Sequence, residues 1–426
     1  MRRGAQVTLL AAGLGLAACV TREPLPSAAE LLADATASLA RGEVEAAAEF
    51  VHRARRVEPG DVAAAQWSAV IAELLWKDDL AIAEQWQALR NARGAGLDQA
   101  ALSEIQGRLG DLMFAAGRWG EATIWLQAGA VGEDAERRLA YASITRLLPF
   151  VRQQSGPFLT EQQLLPGDSP EFACGVAGRQ RSLAIDTGTS MTTLSKGFAQ
   201  ELAAHSLQPA GFAVDGAGRK LQVEVGVLEQ FAVGDVGIGS LPALVVADEA
   251  LRLRDLQGGP ARVPRGVLGL DLLAAFRLTL DPERASVVLE LPTGLAESES
   301  VQCVRAEGRC LAPAVVEGVR LWFVLDTGAS HSSLTQEGVA ALPGGDARAV
   351  PAFRRVHTVG GNLIAVREVR DLVLRSSSAR FQGITLPVVP RHASGLFPVH
   401  GVLGIDLLSR CRVTLDHGRA QLTAVR

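Results

Sequence analysis

The fold is decided by a stretch that occurs twice, as LAIDTGTS at residues 183–190 and as FVLDTGAS at residues 323–330. A second string also repeats, as GVLGLDLL at residues 266–273 and as GVLGIDLL at residues 401–408, with one exchange of Leu for Ile. Order and spacing are kept, because the second glycine of this string follows its Asp by 83 positions in one copy and 78 in the other (269 − 186 and 404 − 326). Duplication of one structural unit explains both repeats.

The composition indicates a folded protein of several domains. The chain has 426 residues, of which 48% are hydrophobic and 21% charged, and its formal net charge is only -4. These values argue against a disordered chain and against a polyanion-binding surface, so we expect no nucleic-acid partner. After Pro149 the sequence pattern changes from helical periodicity to short apolar runs separated by Gly and Pro, which predicts an all-β region. A polar stretch at 292–300 divides that region, and we predict β domains over 165–292 and 301–426.

Residues 27–150 are rich in Ala, Leu, Glu and Arg, with apolar residues at helical spacing. Two stretches resemble tetratricopeptide helical hairpins at the family's characteristic positions: Ala47, Val51, Ala54 and Pro59, then Leu109, Gly110, Met113, Ala122 and Leu126. We therefore predict a helical domain of tetratricopeptide-like repeats. Two roles remain open for it, a spacer between membrane and β domains or a groove that holds a protein partner.

The first residues are typical of an export signal. Arg2 and Arg3 precede an apolar stretch at 7–16, and small residues follow up to Cys19. The string LAAC resembles the lipobox of bacterial lipoproteins, which implies a signal peptide over 1–19 and a lipid anchor on Cys19. Since Val20 and not Asp follows the cysteine, the resemblance implies an outer-membrane protein that faces the periplasm. The alternative is an ordinary signal peptide.

The doubled Asp-Thr-Gly, each copy after an apolar run and before a matching glycine string, resembles the retropepsin-like (clan AA) aspartic proteases over roughly 170–426. The resemblance implies two all-β protease domains that form a pseudo-dimer and share one site with Asp186 and Asp326 as the catalytic pair. Two carboxyl groups in contact cannot both ionise, so one acts as base and the other as acid. The resemblance implies a protein or peptide substrate, and the chemistry needs neither a cofactor nor a metal.

Neighbouring residues receive supporting roles. The resemblance implies that the hydroxyls of Thr187 and Thr327 bond across to the opposite loop, and Gly188 and Gly328 permit a sharp turn and close approach. Thr189 is placed to donate to the outer oxygen of Asp186. At the equivalent place of the second copy stands Ala329, which has no hydroxyl. The site is therefore predicted to be asymmetric.

Each half has a hairpin signal between its two repeated strings, with Gly216 and Gly218 in the first half and Gly360 and Gly361 in the second. The resemblance implies that these hairpins are flaps that fold over an extended peptide. The alternative is that they are ordinary hairpin turns. The only tyrosine of the chain is Tyr141, in the helical segment, so neither flap carries one.

Export implies an oxidising compartment, in which the four cysteines beyond Cys19 are disulfide candidates. Cys303 with Cys310 is the first pairing we expect, whereas Cys174 and Cys411 are equally well explained as buried thiols. No cysteine stands at a metal-ligand spacing from a histidine, so we expect no metal site.

The repeated residues Asp271 and Asp406 compete for the role of catalytic pair. Each follows a Gly and precedes Leu-Leu, which predicts an acid in the first turn of a helix, so we assign them a structural role. Two functions remain, an aspartic endopeptidase and a catalytically inactive scaffold or protein-binding lipoprotein. We expect the halves to pair within one chain, the alternative being a homodimer.

Overall fold

The computed structural model of the chain describes residues 26–149, 159–163, 170–176, 178–214, 219–251, 265–292, 299–358, 361–390 and 395–425. These residues form an N-terminal helical domain followed by two β-rich domains, which confirms the predicted fold class. The expected signal segment and lipid site at Cys19 lie outside the described residues. No described helix has the length and apolarity needed to cross a membrane.

The helical domain consists of antiparallel helices joined by short turns, namely α1 (Ala28–Ala40), α2 (Val44–Val57), α3 (Val62–Leu74), α4 (Asp78–Gly94), α5 (Gln99–Ala115), α6 (Trp119–Ala128) and α7 (Ala135–Thr145). Helix α1 begins in a capping box, in which Ser27 and Glu30 satisfy each other's backbone N–H groups. At the starts of α3 and α5, the carboxylates of Asp61 and Asp98 accept from backbone N–H groups of the first turn. The residues at the expected repeat positions, such as Ala47 and Met113, are buried, except for Pro59, which is exposed.

The first β domain contains a sheet whose strands lie in the order β2-β3-β8-β4-β7-β6-β5. Their bounds are β2 (Glu171–Val176), β3 (Arg179–Ile185), β4 (Thr193–Ser195), β5 (His205–Val214), β6 (Lys220–Val233), β7 (Val236–Val246) and β8 (Gly266–Leu268). The short helices α8 (Lys196–Glu201) and α9 (Leu270–Leu273) follow β4 and β8.

The second β domain repeats this order as β13-β14-β19-β15-β18-β17-β16, with β12 added beside β13. The bounds are β12 (Val304–Ala306), β13 (Arg309–Val316), β14 (Val319–Leu325), β15 (Ser333–Thr335), β16 (Ala349–Thr358), β17 (Gly361–Ser376), β18 (Ala379–Val389) and β19 (Gly401–Leu403), with α10 (Gln336–Ala341) and α11 (Ile405–Leu408). The sequence duplication is therefore a duplication of the whole sheet.

A third sheet joins the two β domains. Its order is β1-β10-β9-β20-β21-β11, from β1 (Leu159–Gln163), β9 (Arg277–Asp281), β10 (Ser286–Glu290), β11 (Val301–Gln302), β20 (Arg412–Asp416) and β21 (Gln421–Val425). Strands β9 and β20 meet antiparallel at its centre, where the hydroxyls of Thr279 and Thr414 lie 3.1 Å apart. These two threonines hold equivalent places in the two copies, so the pseudo-two-fold axis passes between them. Strand β1 precedes residue 165, at which the sequence placed the start of the first β domain.

The helical domain packs against both β domains. Its first three helices share a hydrophobic core with the second domain, where Trp322 donates from Nε1 to the carbonyl of Gly42 at 3.2 Å. Arg305 and Asp78 form an ion pair across the same boundary. Later helices share another core with β6 of the first domain. The helical domain thus contacts both β domains and links them. Neither role expected from the sequence, a spacer or a partner-binding groove, includes this arrangement.

The disulfide we expected between Cys303 and Cys310 is not formed. Both are buried free thiols, as are Cys174 and Cys411. Cys310 lies opposite Arg305 in the β12–β13 register, so Cys303 is its diagonal neighbour and not its direct partner. The interaction with the Cys303 thiol lowers the pKa of Cys310 to about 6; burial opposes this shift, and His417 adds to it. Among the described residues, no three His, Cys, Asp or Glu side chains form a group that could hold a metal ion.

Candidate active site

Each repeated Asp directly follows a buried strand. Asp186 directly follows β3 and Asp326 directly follows β14, and in both domains the strand runs parallel to the short strand of the second repeated string. The backbone N–H of Asp186 donates to Leu268 O at 3.1 Å, and that of Asp326 donates to Leu403 O at 3.0 Å. The two repeated strings of each half are therefore adjacent strands, and their pairing points both Asp loops toward the pseudo-two-fold axis.

Four hydrogen bonds cross between the two Asp loops. The Thr187 hydroxyl donates to Leu325 O at 2.7 Å, and the Thr327 hydroxyl donates to Ile185 O at 2.6 Å. Each threonine N–H also donates to the other threonine's hydroxyl oxygen at 3.2 Å. Both side chains are fully buried, so these bonds are shielded from water and tie the two loops into one unit within a single chain.

The glycines of the two loops let the carboxyl groups approach each other. A Cβ built on Gly188 would lie 2.4 Å from Cγ of Asp326, and one built on Gly328 would lie 2.7 Å from Cγ of Asp186. Any larger residue would therefore push the opposite carboxyl group away. Neither glycine has a positive φ, so close approach and not an unusual backbone turn is the reason for glycine here.

The donors to the two carboxyl groups are unequal. Gly188 N–H donates to Oδ1 of Asp186 and Gly328 N–H to Oδ1 of Asp326, each at 2.9 Å. The hydroxyl of Thr189 donates to Oδ2 of Asp186 at 2.8 Å, in the place the sequence indicated. Ala329 has no hydroxyl, but its backbone N–H donates to Oδ1 of Asp326 at 2.8 Å, a bond that the sequence did not suggest.

The two carboxyl groups hydrogen-bond to each other, and both have raised pKa values. Burial is the largest cause for Asp186, whose pKa the Thr189 hydroxyl and the Gly188 N–H pull back down. Burial and then the charge of Asp186 raise the pKa of Asp326 to about 8. The pair is therefore suited to sharing one proton, with one carboxylate and one carboxylic acid side by side.

Asp271 and Asp406 hold the loops that follow the catalytic candidates, which fits the structural role expected for them. Oδ1 of Asp271 accepts from the N–H of Thr192 at 2.8 Å and from its hydroxyl at 3.0 Å. Oδ1 of Asp406 accepts from the N–H and hydroxyl of Ser332, both at 2.7 Å. The sequence did not suggest these hydrogen-bond partners. Both hydroxyl residues nevertheless lie six positions after the Asp of the Asp-Thr-Gly loop in their own domain (192 − 186 and 332 − 326).

The two hairpins expected as flaps are present as strand pairs. Strands β5 and β6 form the first hairpin, and β16 and β17 form the second hairpin. Gly361 begins β17, whereas Gly216, Gly218 and Gly360 lie outside the described residues. The position of each hairpin in its domain matches the expected one, and its closure over a substrate remains a prediction.

The family model that describes aspartyl proteases matches the chain twice, over residues 173–272 and 312–407. Each match contains one Asp-Thr-Gly loop and all but the last residue of the second repeated string. No match was found among proteins with curated descriptions.

Solved structures with similarity to the chain include two aspartic proteases and a domain of a stress-induced protein. An aspartic proteinase from Irpex lacteus is 13% identical, covering 64% of this chain and 97% of its own, with a TM-score of 0.37. A retropepsin-like aspartic protease from Rickettsia conorii is 16% identical, and the match covers 33% of this chain and 95% of the protease, with a TM-score of 0.24. The N-terminal domain of stress-induced protein-1 from C. elegans is 14% identical, and the match covers 28% of this chain and 93% of that domain, with a TM-score of 0.25. Each of the two β domains thus matches the family model of aspartyl proteases, and both follow an N-terminal helical domain.

Proposed function

We propose that the chain is an aspartic endopeptidase whose single active site is formed by Asp186 and Asp326. The observation that carries this proposal is the pair of buried, mutually hydrogen-bonded carboxyl groups, each backed by the glycine of the opposite loop. A structural ion pair would place a cation beside a buried carboxylate. Here the principal neighbours are neutral N–H and hydroxyl donors and a second carboxyl group, an arrangement suited to sharing a proton.

The asymmetry of the site assigns roles to the two carboxyl groups. The extra hydroxyl of Thr189 favours the charged form of Asp186, so Asp326 carries the shared proton in the resting site. Asp186 then takes a proton from a water molecule as the water oxygen bonds to the peptide carbonyl carbon. Asp326 donates its proton to the carbonyl oxygen. The resulting tetrahedral intermediate collapses when the C–N bond breaks and the amine leaves with a proton from Asp186. One hydroxyl proton of the intermediate passes to Asp326 as the product carbonyl forms, which restores the starting protonation of the pair. No covalent enzyme intermediate forms.

The proposal also covers the location, substrate and partners of the chain. The string LAAC supports lipid attachment at Cys19 and a position on the outer membrane facing the periplasm. The substrate class is a protein or peptide, since that is what proteases of this family cleave. A protein partner on the helical domain would bind the faces of its helices that do not pack on the β domains.

Cleavage of an unfolded protein by the purified full-length chain tests this function. The wild type is compared with Asp186→Asn and Asp326→Asn from about pH 4 to about pH 8, so that the ionisation of the pair is followed through the titration. We expect cleavage by the wild type and none by either variant, with circular dichroism showing that both variants fold. Equal cleavage by all three proteins, or cleavage by none, would contradict the proposal and favour a binding role.

A further inference from the structure

The first hairpin packs against the helical domain. Helix α7 lies against both β5 and β6. Val223, Val225 and Val227 project from one face of β6, as alternate residues of a strand do. They are buried in one hydrophobic core with Tyr141 and other residues of the helices. This face of the first hairpin is therefore covered by another domain of the same chain.

The second hairpin lacks this cover at the equivalent positions. Each hairpin continues into a two-residue turn, after Val233 in the first domain and after Ser376 in the second. Val223 and Val366 both lie ten residues before that turn (233 − 223 and 376 − 366), yet Val223 is 3% exposed and Val366 is 63% exposed. Two residues earlier, Ile364 is 51% exposed.

The position two residues further along the strand also differs between the hairpins, being apolar in the first and charged in the second. Glu368 stands where the first hairpin has Val225, which is completely buried. Its carboxylate pairs with Arg354 at 3.3 Å and with Arg370 at 2.6 Å. An ion pair built from residues of its own domain replaces the apolar contact to helix α7. The second hairpin is thus built to stand without the helical domain.

Helix α7 also reaches the loop that carries Asp186. The buried hydroxyl of Tyr141 donates to Sδ of Met191 at 3.1 Å, and the Tyr141 ring stacks on Phe114 with centroids 4.3 Å apart. Met191 lies five residues after Asp186, and its backbone packs on Gly269, where a Cβ would come within 2.3 Å of it. One helix therefore contacts both the first hairpin and the loop that leads away from Asp186.

We propose that helix α7 fixes the first hairpin and the loop after Asp186 in position, with Tyr141 as a positioning residue, so that the second hairpin is the more mobile wall of the site. This inference rests on the proposed peptidase function for its catalytic meaning. A hairpin packed into a second core opens only at the cost of that core, whereas an uncovered one opens locally. Substrate entry then takes place by movement of the second hairpin, and the helical domain is part of the peptidase unit.

Amide hydrogen exchange of the full-length chain, followed by mass spectrometry, tests the inference without requiring catalysis. We expect amides of β5 and β6 to exchange at least about tenfold more slowly than those of β16 and β17. The variant Val223→Ala should speed exchange in the first hairpin about tenfold, whereas the matched variant Val366→Ala should leave the first hairpin unchanged. Equal exchange of the two hairpins in the wild type, or no effect of Val223→Ala on the first, would overturn the inference.

The conservative variant Tyr141→Phe covers the case in which Val223→Ala fails to fold. It removes only the hydroxyl bound to Met191, so faster exchange is expected in residues 187–192, with an unchanged denaturant midpoint for the whole chain. If the chain cleaves peptides, kcat should fall about two- to fivefold with KM little changed, since a loosened loop affects the reacting geometry. Unchanged exchange in that loop would overturn the role of Tyr141. Loss of the proposed function alone would leave the exchange pattern intact.

Discussion

At the scale of single residues, the site depends on which donors surround each carboxyl group. The sequence indicated the Thr189 hydroxyl, because a side chain and its spacing are visible in it. It did not indicate the N–H of Ala329, because every residue has an N–H and only the backbone direction decides where it points. The same limit hid Thr192 and Ser332, whose partners Asp271 and Asp406 lie more than seventy residues away.

Removal of the Thr189 hydroxyl tests the assignment of the charge to Asp186. In Thr189→Ala the ionised carboxylate loses a donor, so the pKa of Asp186 rises further. We expect the acidic limb of the kcat/KM profile to move up by about one pH unit, the worth of one hydrogen bond to a charged group. Thr189→Ser keeps a hydroxyl and should retain the wild-type limb. An acidic limb that stays in place in the alanine variant would contradict the assignment.

Replacement of Asp326 should stabilise the protein at neutral pH and above. Its folded-state pKa of about 8 lies above its ordinary value of 3.8, so its ionisation favours the unfolded chain. The stability that the neutral acid contributes is complete below about pH 4 and is lost as pH rises through 8. We expect Asp326→Asn to unfold with a free energy a few kcal/mol higher than the wild type at pH 8, and with little difference at pH 4.

Urea unfolding at both pH values measures this difference. The matched variant Asp326→Ala removes the hydrogen bonds together with the charge, so it should lack the gain. A wild type that is as stable as Asp326→Asn at pH 8 would contradict the raised pKa.

At the scale of elements, the sequence predicted the strands and hairpins better than their partners. The Gly-rich turns located both hairpins because turn chemistry is local. The six-stranded shared sheet was missed, since its strands have at most five residues each and their pairing across the two domains leaves no local signal. The disulfide expectation failed for a related reason, because spacing in the chain does not show which residues lie directly opposite each other.

The hydrogen bonds of Thr187 and Thr327 link the two Asp loops, and the variant Thr187→Val tests this link. Valine keeps the shape but removes the bond to Leu325 O and the acceptor for the N–H of Thr327. Loss of two buried hydrogen-bonding partners should lower the free energy of unfolding by about 2–4 kcal/mol. Thr187→Ser retains the hydroxyl and serves as the control in the same denaturant titration. Equal stability of the valine and serine variants would contradict the link.

At the scale of the whole molecule, the duplication predicted a pseudo-dimer, and the structure has one within a single chain. The bracing by the helical domain was not predictable, because an apolar helix face looks the same in sequence whether it meets another helix or another domain. The central pairing of β9 with β20 and the crossed threonine bonds all connect residues of the same chain. The site is therefore complete in one copy.

Mixing two inactive variants distinguishes pairing within the chain from pairing between chains. If Asp186 of one chain met Asp326 of another, a mixture of Asp186→Asn and Asp326→Asn would contain some intact pairs and regain activity. Pairing within the chain leaves every site with one Asn, so we expect no regain after co-refolding the two variants in equal amounts. A return of cleavage toward a quarter of the wild-type level or more would contradict the account.

The most direct test of the central claim, that the two repeats make one catalytic unit, is a double-variant comparison of kcat/KM on one peptide substrate. Groups that act as a unit show strongly non-additive losses. We predict that Asp186→Asn and Asp326→Asn each lose at least about a thousandfold and that the double variant loses no more than either. Losses that multiply in the double variant, or near wild-type turnover in one single variant, would show that the two carboxyl groups do not form one active site.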